Sequence, residues 1–247
     1  MTAVRAVVTG HSRGLGAAIA ADLLGRGIAV LGIARSGNPA LADRFPGLYR
    51  ETALDLADNA ALLAWLATGA LEELFDNSER ALLVCNAGLL APVAQAGRQD
   101  GPAIAAAVAV NVAAPLILAN AFVAATADCP DRRVLHVSSG AARSAYPGWN
   151  VYGATKAALD HHARAVATES LPGLRIASVA PGVIDTDMQA QIRATGADDF
   201  PLRDRFVALK RDGLLAAPDE AAKNLVAYLL GENFGRQPVA DLRDLAG

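Results

Sequence analysis

Short apolar runs, separated by longer stretches of helical spacing, most narrow what this chain can fold into. The runs are VRAVVT (4–9), IAVLGIA (28–34), ALLVC (81–85), RVLHVS (133–138) and LRIASVA (174–180). A strand covered on both faces has no polar side to show, so it reads as a continuous apolar run rather than an alternation. Intervening segments such as LGAAIAADLLGRG space their apolar residues as a helix does and end in glycine, where a helix can stop. Strand, helix, strand in repetition is the βαβ unit, and it predicts an α/β fold: a doubly wound parallel sheet with helices on both faces. A weaker run at 48–54 and a short one at 238–240 bring the expected sheet to about seven strands.

The 247 residues, 53% of them apolar, suffice for one large core, and no Pro/Ser-rich linker or internal repeat divides them. Residues 1–247 therefore read as a single domain. Lys plus Arg number 22 against 25 Asp plus Glu, a net charge of −3 that argues against non-specific attraction to nucleic acid or an anionic membrane. Cys85 and Cys129 are too few for a disulfide framework and lack the paired spacing of a zinc site, and no metal is expected. The first segment turns polar and Gly-rich after about six strand-like residues, unlike a signal peptide or a membrane span. A cytoplasmic enzyme is the expectation.

The first strand runs into Gly10-His11-Ser12-Arg13-Gly14-Leu15-Gly16 and then a helix. Glycines there let the backbone turn sharply and let a pyrophosphate approach the helix N-terminus, where free amides and the helix dipole favour an anion. Cofactor choice should be legible past the second strand, where an acid would bind a ribose hydroxyl and repel a 2′-phosphate. Here the strand ends Ala34-Arg35-Ser36 without an acid, and Arg13 and Arg35 supply two guanidinium groups for a phosphate. NADP(H) is predicted over NAD(H), with NAD(H) still possible. Asp55, after the third strand, suits either an adenine amino group or a helix cap.

Chemistry is most legible after RVLHVSS, where Ser139 is followed thirteen residues on by Tyr152 and then by Lys156. Residues i and i+4 share one helix face roughly 6 Å apart along the axis, so the Lys156 ammonium is expected to favour the phenolate of Tyr152. Ser139 sits at the carboxyl end of a central strand, where parallel sheets assemble their sites, while Ser138 is expected to point to the other face.

With TGHSRGLG, CNAG (85–88), Asn111 in VAVNVAAP, Ser139, YGATK (152–156) and Pro181-Gly182 followed by Thr186, the chain resembles the short-chain dehydrogenase/reductase superfamily over essentially its whole length. That resemblance implies a Rossmann-type fold and a catalytic tetrad of Asn111, Ser139, Tyr152 and Lys156. Tyr152 would protonate the carbonyl oxygen while Ser139 orients it, Lys156 would bind the nicotinamide ribose, and Asn111 would hold a relay water. Cofactor contacts would come from Gly10, Ser12, Arg13, Gly14, Leu15, Gly16, Arg35, Asp55, Leu56, Asn86, Ala87, Gly88, Tyr152, Lys156, Pro181, Gly182, Val183 and Thr186. Cys85 stands where the family usually has asparagine. The last quarter is similar to the sepiapterin reductase branch and its benzil-reductase-like relatives, which implies that Asp241 contacts substrate.

Trp149 is expected to border the substrate, Met188 is a further candidate contact, and 186–212 is expected to form a lid. His11 reads as a variable loop position, His136 as a satisfied buried histidine, and His161 and His162 as facing apart. The function implied is NADPH-dependent reduction of a small ketone, diketone or pterin side chain. Alternatives are the same chemistry run oxidatively, as an alcohol dehydrogenase, and a non-catalytic NADP(H)-binding sensor. A homodimer or homotetramer is expected through the Tyr152 helix and a long helix over 101–127.

Overall fold

A computed structural model describes residues 3–245 of the chain. Seven parallel strands form one sheet: β1 (Val4–Thr9), β2 (Ala29–Ala34), β3 (Tyr49–Ala53), β4 (Arg80–Cys85), β5 (Asp131–Val137), β6 (Leu174–Ala180) and β7 (Val239–Asp241). Their order across the sheet is β3-β2-β1-β4-β5-β6-β7. The predicted alternation is therefore the observed one, and strand ends shift by no more than two residues. β3 is the least covered strand, with only Tyr49 buried, which is why its apolar run is faint.

Side chains alternate between two cores, as the strand period of two requires. Ala6, Val8, Leu82, Val84, Leu135, Val137, Ala177 and Val179 pack against α1 (Gly14–Gly25) and α10 (Pro218–Leu230). Val7, Leu83, Val134 and Ile176 face the other way, against α3 (Asn59–Leu66), α4 (Ala70–Phe75), α6 (Ala114–Ala125) and α7 (Asn150–Thr168). A short α2 (Pro39–Arg44) follows β2, and α5 (Gly101–Val108) precedes α6. The chain leaves β1 towards one face and its sheet neighbour β4 towards the other, so a crevice opens at their carboxyl ends, the usual ligand position in such sheets.

Two departures from the expected elements matter for the site. The single helix over 101–127 is broken by a π-helical turn at Ala109–Ala113. Pro115 has no N–H to give to the carbonyl four residues before it, that of Asn111, so the α-helical ladder must loosen here. The stretch Gly101–Ala125 is long and apolar enough, by length and composition alone, to cross a membrane. Its inner residues Leu118 and Phe122 are buried against the sheet and its middle carries Asn111 into the crevice, which is the pattern of a core helix. The segment 186–212 holds α8 (Asp187–Ala194) and α9 (Arg203–Arg211), packed over a third, aromatic cluster of Trp149, Tyr152, Phe200 and Phe206.

At the opposite end of the sheet, Asp131 collects three arginines. Its Oδ1 accepts from Arg133 Nε at 2.8 Å and Arg175 Nη2 at 2.9 Å, and its Oδ2 from Arg133 Nη2 at 2.8 Å and Arg80 Nε at 2.5 Å. The buried Arg133 also donates to the carbonyls of Leu229 and Gly231, closing the end of α10. Those hydrogen bonds hold the Asp131 carboxyl well below the usual carboxylate range even though burial opposes them.

Candidate active site

The glycine loop is shaped by contacts that leave no room for side chains. A Cβ at Gly16 would lie 2.1 Å from the Gly10 carbonyl oxygen, and Gly10 itself has φ +72° with Asn86 Nδ2 2.9 Å from where a Cβ would be. Thr9 ties this loop to the end of β4: its Oγ1 accepts from the amides of Asn86 and Ala87, both at 3.0 Å, while Asn86 Nδ2 donates to the Thr9 carbonyl at 3.0 Å. Cys85 is buried beside this junction, and burial pushes its thiol up to about 12, so it behaves as an inert apolar residue.

The N-terminus of α1 is capped by no side chain and carries no acid in its first turn. Its free amides and dipole fit a pyrophosphate. Ser12 is half-buried in the loop and Leu15 is buried in the core, while a Cβ at Gly88 would lie 3.4 Å from Lys156 Nζ and one at Gly14 (φ +57°) would lie 3.5 Å from the Thr186 methyl. Arg13 reaches across to Asp187 at 3.3 Å, with both side chains about 70% exposed, a pairing worth only about 0–1 kcal/mol. Its guanidinium thus remains open to a stronger anion. Arg35 is exposed just past β2 and makes no ion pair among the described residues. Asp55 caps no helix: it accepts from Ala57 N at 3.0 Å within a turn, whereas Asp58 caps α3. Leu56 beside it is buried in the core.

Asn111, Ser139, Tyr152 and Lys156 converge at the carboxyl ends of β4 and β5. Asn111 is fully buried; its Oδ1 accepts from Leu89 N at 2.7 Å and its Nδ2 donates to Leu89 O at 2.8 Å and Thr155 Oγ1 at 3.1 Å. That side chain is committed to holding the loop after β4, and Pro115 leaves its backbone carbonyl without an α-helical donor. Burial holds Tyr152 above the ordinary tyrosine value, and the Ser139 hydroxyl beside it pulls weakly the other way. Lys156 Nζ donates to Val137 O at 2.8 Å and lies 5.9 Å from the Tyr152 ring centroid. Burial brings its ammonium down to about 8. Burial is thus the largest influence on both members of this pair. Ser138 bonds towards α7, about two turns along it from Tyr152, where Asp160 accepts from it and from Ser178, each at 2.7 Å.

The Lys156 value carries a sign. Charged below about 8 and neutral above, Lys156 should support turnover through neutral pH, with kcat/KM falling roughly tenfold per unit once pH passes that value. A pH–rate profile checks this, and Lys156→Arg should move the fall to higher pH if the charge is what matters.

Several expected contacts are placed differently. Trp149 does not wall the substrate space: it is buried, stacked on Phe200 at 4.6 Å and 9°, and set edge-on to Tyr152 at 5.6 Å. Met188 packs at the margin of the same cluster. Asp241, in register with Ala180, is taken up by Arg243 in a fork: Nε to Oδ1 at 2.8 Å and Nη2 to Oδ2 at 2.7 Å. Arg243 then lies over Gly182, its Cδ 3.9 Å from where a Cβ there would be, beside Pro181 and Val183. His136 is paired through Nε2 to His162 Nδ1 at 3.1 Å, while its Nδ1 has no partner. His11 is not a surface loop residue: it is fully buried against Tyr49. Sequence reasoning missed Arg243, Glu51 and Tyr49, whose only signal was charge or polarity at strand ends.

Fold and site together define an oxidoreductase built on a dinucleotide-binding sheet. The short chain dehydrogenase family model matches residues 4–197, and the chain belongs to that family, whose members bind NAD(P). It is 37% identical over 237 residues to a benzil reductase ((S)-benzoin forming) of Bacillus cereus, covering 92% of this chain and 94% of that one. It is 34% identical over 254 residues to the sepiapterin reductase of Meriones unguiculatus, covering 96% and 95% respectively. Among solved structures, a short-chain dehydrogenase/reductase from Burkholderia vietnamiensis shares 49% identity at a TM-score of 0.72, with 98% of each chain covered.

Proposed function

We propose that this chain is an NADPH-dependent carbonyl reductase for a small uncharged ketone or diketone, with Tyr152 as general acid. The observation that carries the reading is the convergence at the mouth of the crevice of Ser139, the buried Tyr152 and the buried Lys156, whose Nζ lies 5.9 Å from the Tyr152 ring centroid. When bound, the dinucleotide supplies the hydride. Ser139 orients the substrate carbonyl oxygen, Tyr152 gives it the phenolic proton, and Lys156 holds a positive charge next to the phenol as it loses that proton. Asn111 fixes the loop after β4 through Leu89.

NADP(H) is favoured by two exposed guanidinium groups, Arg35 and the weakly paired Arg13, and by the absence of an acid directly after β2. A benzil-like diketone is favoured over a pterin by Arg243, which occupies both oxygens of Asp241. The segment 186–212 serves as the substrate lid, seated through Phe200 and Phe206 on Trp149. A homo-oligomer in the cytoplasm belongs to the same reading: Val108, 44% exposed, lines an apolar groove with Ile104, Val112 and Val151 between α5 and α7. A single-chain mass in light scattering at micromolar concentration would overturn that part.

The test is absorbance-monitored oxidation of NADPH and NADH against benzil, diacetyl, sepiapterin and a simple aryl ketone. NADPH should be preferred about tenfold or more, benzil should outrun sepiapterin, and Arg35→Ala should lower the NADPH preference by about tenfold, the size of one charge-assisted contact. Arg243→Ala should raise the sepiapterin rate relative to benzil by uncovering Asp241. Equal use of both cofactors sinks the NADP assignment. Binding without turnover in either direction favours the sensor, and turnover only of alcohols favours the oxidative dehydrogenase.

A further inference from the structure

We propose that Tyr49, with His11 and Glu51, is a positioning device that welds the glycine loop to the segment after β2 and so sets the preference for a 2′-phosphorylated dinucleotide. It rests on the reading that Arg35 receives that phosphate. Three chain segments meet at these residues. Glu51 Oε2 accepts from Tyr49 Oη at 2.8 Å and from the backbone amide of Asn38 at 2.8 Å. Its other oxygen lies 2.2 Å from where a Cβ at Gly37 would be, so a side chain there would push the Glu51 carboxylate out of this position. Tyr49 Oη is also 2.5 Å from His11 Nδ1, and Asn38 Nδ2 donates to the His11 carbonyl at 3.2 Å. The His11 ring fills the space above Gly32, where a Cβ would lie 2.5 Å from it.

The proton count fixes the direction of this chain. Tyr49 has one hydroxyl proton and gives it to Glu51, so at His11 it accepts, and His11 must carry its own proton on Nδ1. The His11 Nε2 is then a lone pair, fully buried and without a partner. Burial lowers the His11 imidazole, in keeping with a neutral ring. The carboxylate at the end of the chain is the important charge. Glu51 is an exposed acid two residues from the end of β3 and directly beside the segment that presents Arg35. Left to itself it would pair with Arg35 and repel a 2′-phosphate, the effect an acid after β2 has in a phosphate-excluding site. Two donors on one oxygen hold it on Asn38 and Tyr49 instead.

Isothermal titration of the purified full chain with NADPH and with NADH tests this. Tyr49→Phe removes only the hydroxyl, and the ring keeps its place against His11. The Kd for NADPH is expected to rise about tenfold while that for NADH stays within about twofold, the change expected for one charge-assisted hydrogen bond. Adding Glu51→Gln to Tyr49→Phe removes the freed charge and should recover most of the NADPH affinity. A merely structural role would weaken both cofactors together and would not be rescued by the second substitution. A wild-type chain indifferent to the 2′-phosphate overturns the Arg35 reading and this inference with it. A wild type that prefers NADPH, with the ratio unchanged in Tyr49→Phe, overturns this inference alone.

Discussion

Tyr152→Phe should lower kcat for carbonyl reduction by about 10²- to 10⁴-fold, the range for loss of a positioned general acid. The substitution removes one oxygen and leaves the ring that Trp149 meets edge-on, so the aromatic cluster beneath the lid stays packed. Ser139, beside the phenol, keeps its bond from Ala141 N at 3.1 Å. Cofactor affinity measured by titration is therefore expected to hold within about threefold, against a collapse in rate. A split of that kind assigns the loss to the proton. Unchanged turnover would mean that the proton comes from elsewhere and would remove Tyr152 from the role given to it.

Asp131→Asn should destabilise the chain by about 3–5 kcal/mol, the cost typical of removing one partner from a buried ion pair. Arg133 is the reason: its side chain is 2% exposed, and it would keep its charge while losing the carboxylate that receives two of its donors. Thermal unfolding should shift down by roughly 6–20 °C for a chain of this size. The pH dependence follows from the depressed carboxyl. A group whose folded value lies below its unfolded value of about 3.9 stabilises above that pH and loses the contribution as pH falls through its folded value. The gap between wild type and variant should thus be full at pH 7 and narrow below about pH 4. A gap that is absent at neutral pH would show that the three arginines are satisfied by water and by the Leu229 and Gly231 carbonyls alone.

What could be read from the sequence divides by how local the signal is. Strands buried on both faces announce themselves as apolar runs, and five of the seven were legible this way; β3 and β7 were faint because they lie at the sheet edges with few buried residues. The positions of Ser139, Tyr152 and Lys156 followed from spacing along one strand end and one helix. Side-chain partners across the fold did not. His11 looked like a loop residue because nothing near it in sequence reveals that Gly32, twenty-one residues on, leaves a hole for its ring. Asp241 looked like an open anchor because a fork from Arg243, two residues later, depends on the turn the chain takes after β7. Trp149 looked like a pocket wall because its stacking partner Phe200 lies in a segment with little periodicity of its own. The burial of Tyr152 and Lys156 was not legible either: spacing gives proximity along a helix, whereas burial, which dominates both groups, is a property of the finished fold.

The π-helical turn at Ala109–Ala113 has a meaning in terms of length. A π turn is one residue inserted into an α-helix, and an inserted residue rotates everything on one side of it by roughly 100° relative to the other. The apolar face of α5, with Ile104 and Val108, and the buried face of α6, with Leu118 and Phe122, are therefore out of phase with any single straight helix. Removing one residue from this turn would straighten the rod and force a choice: either Asn111 stays beside Leu89 and the outer groove is dismantled, or the groove is kept and the amide leaves the crevice. Whatever the groove binds is thereby tied, through a single extra residue, to the placement of Asn111.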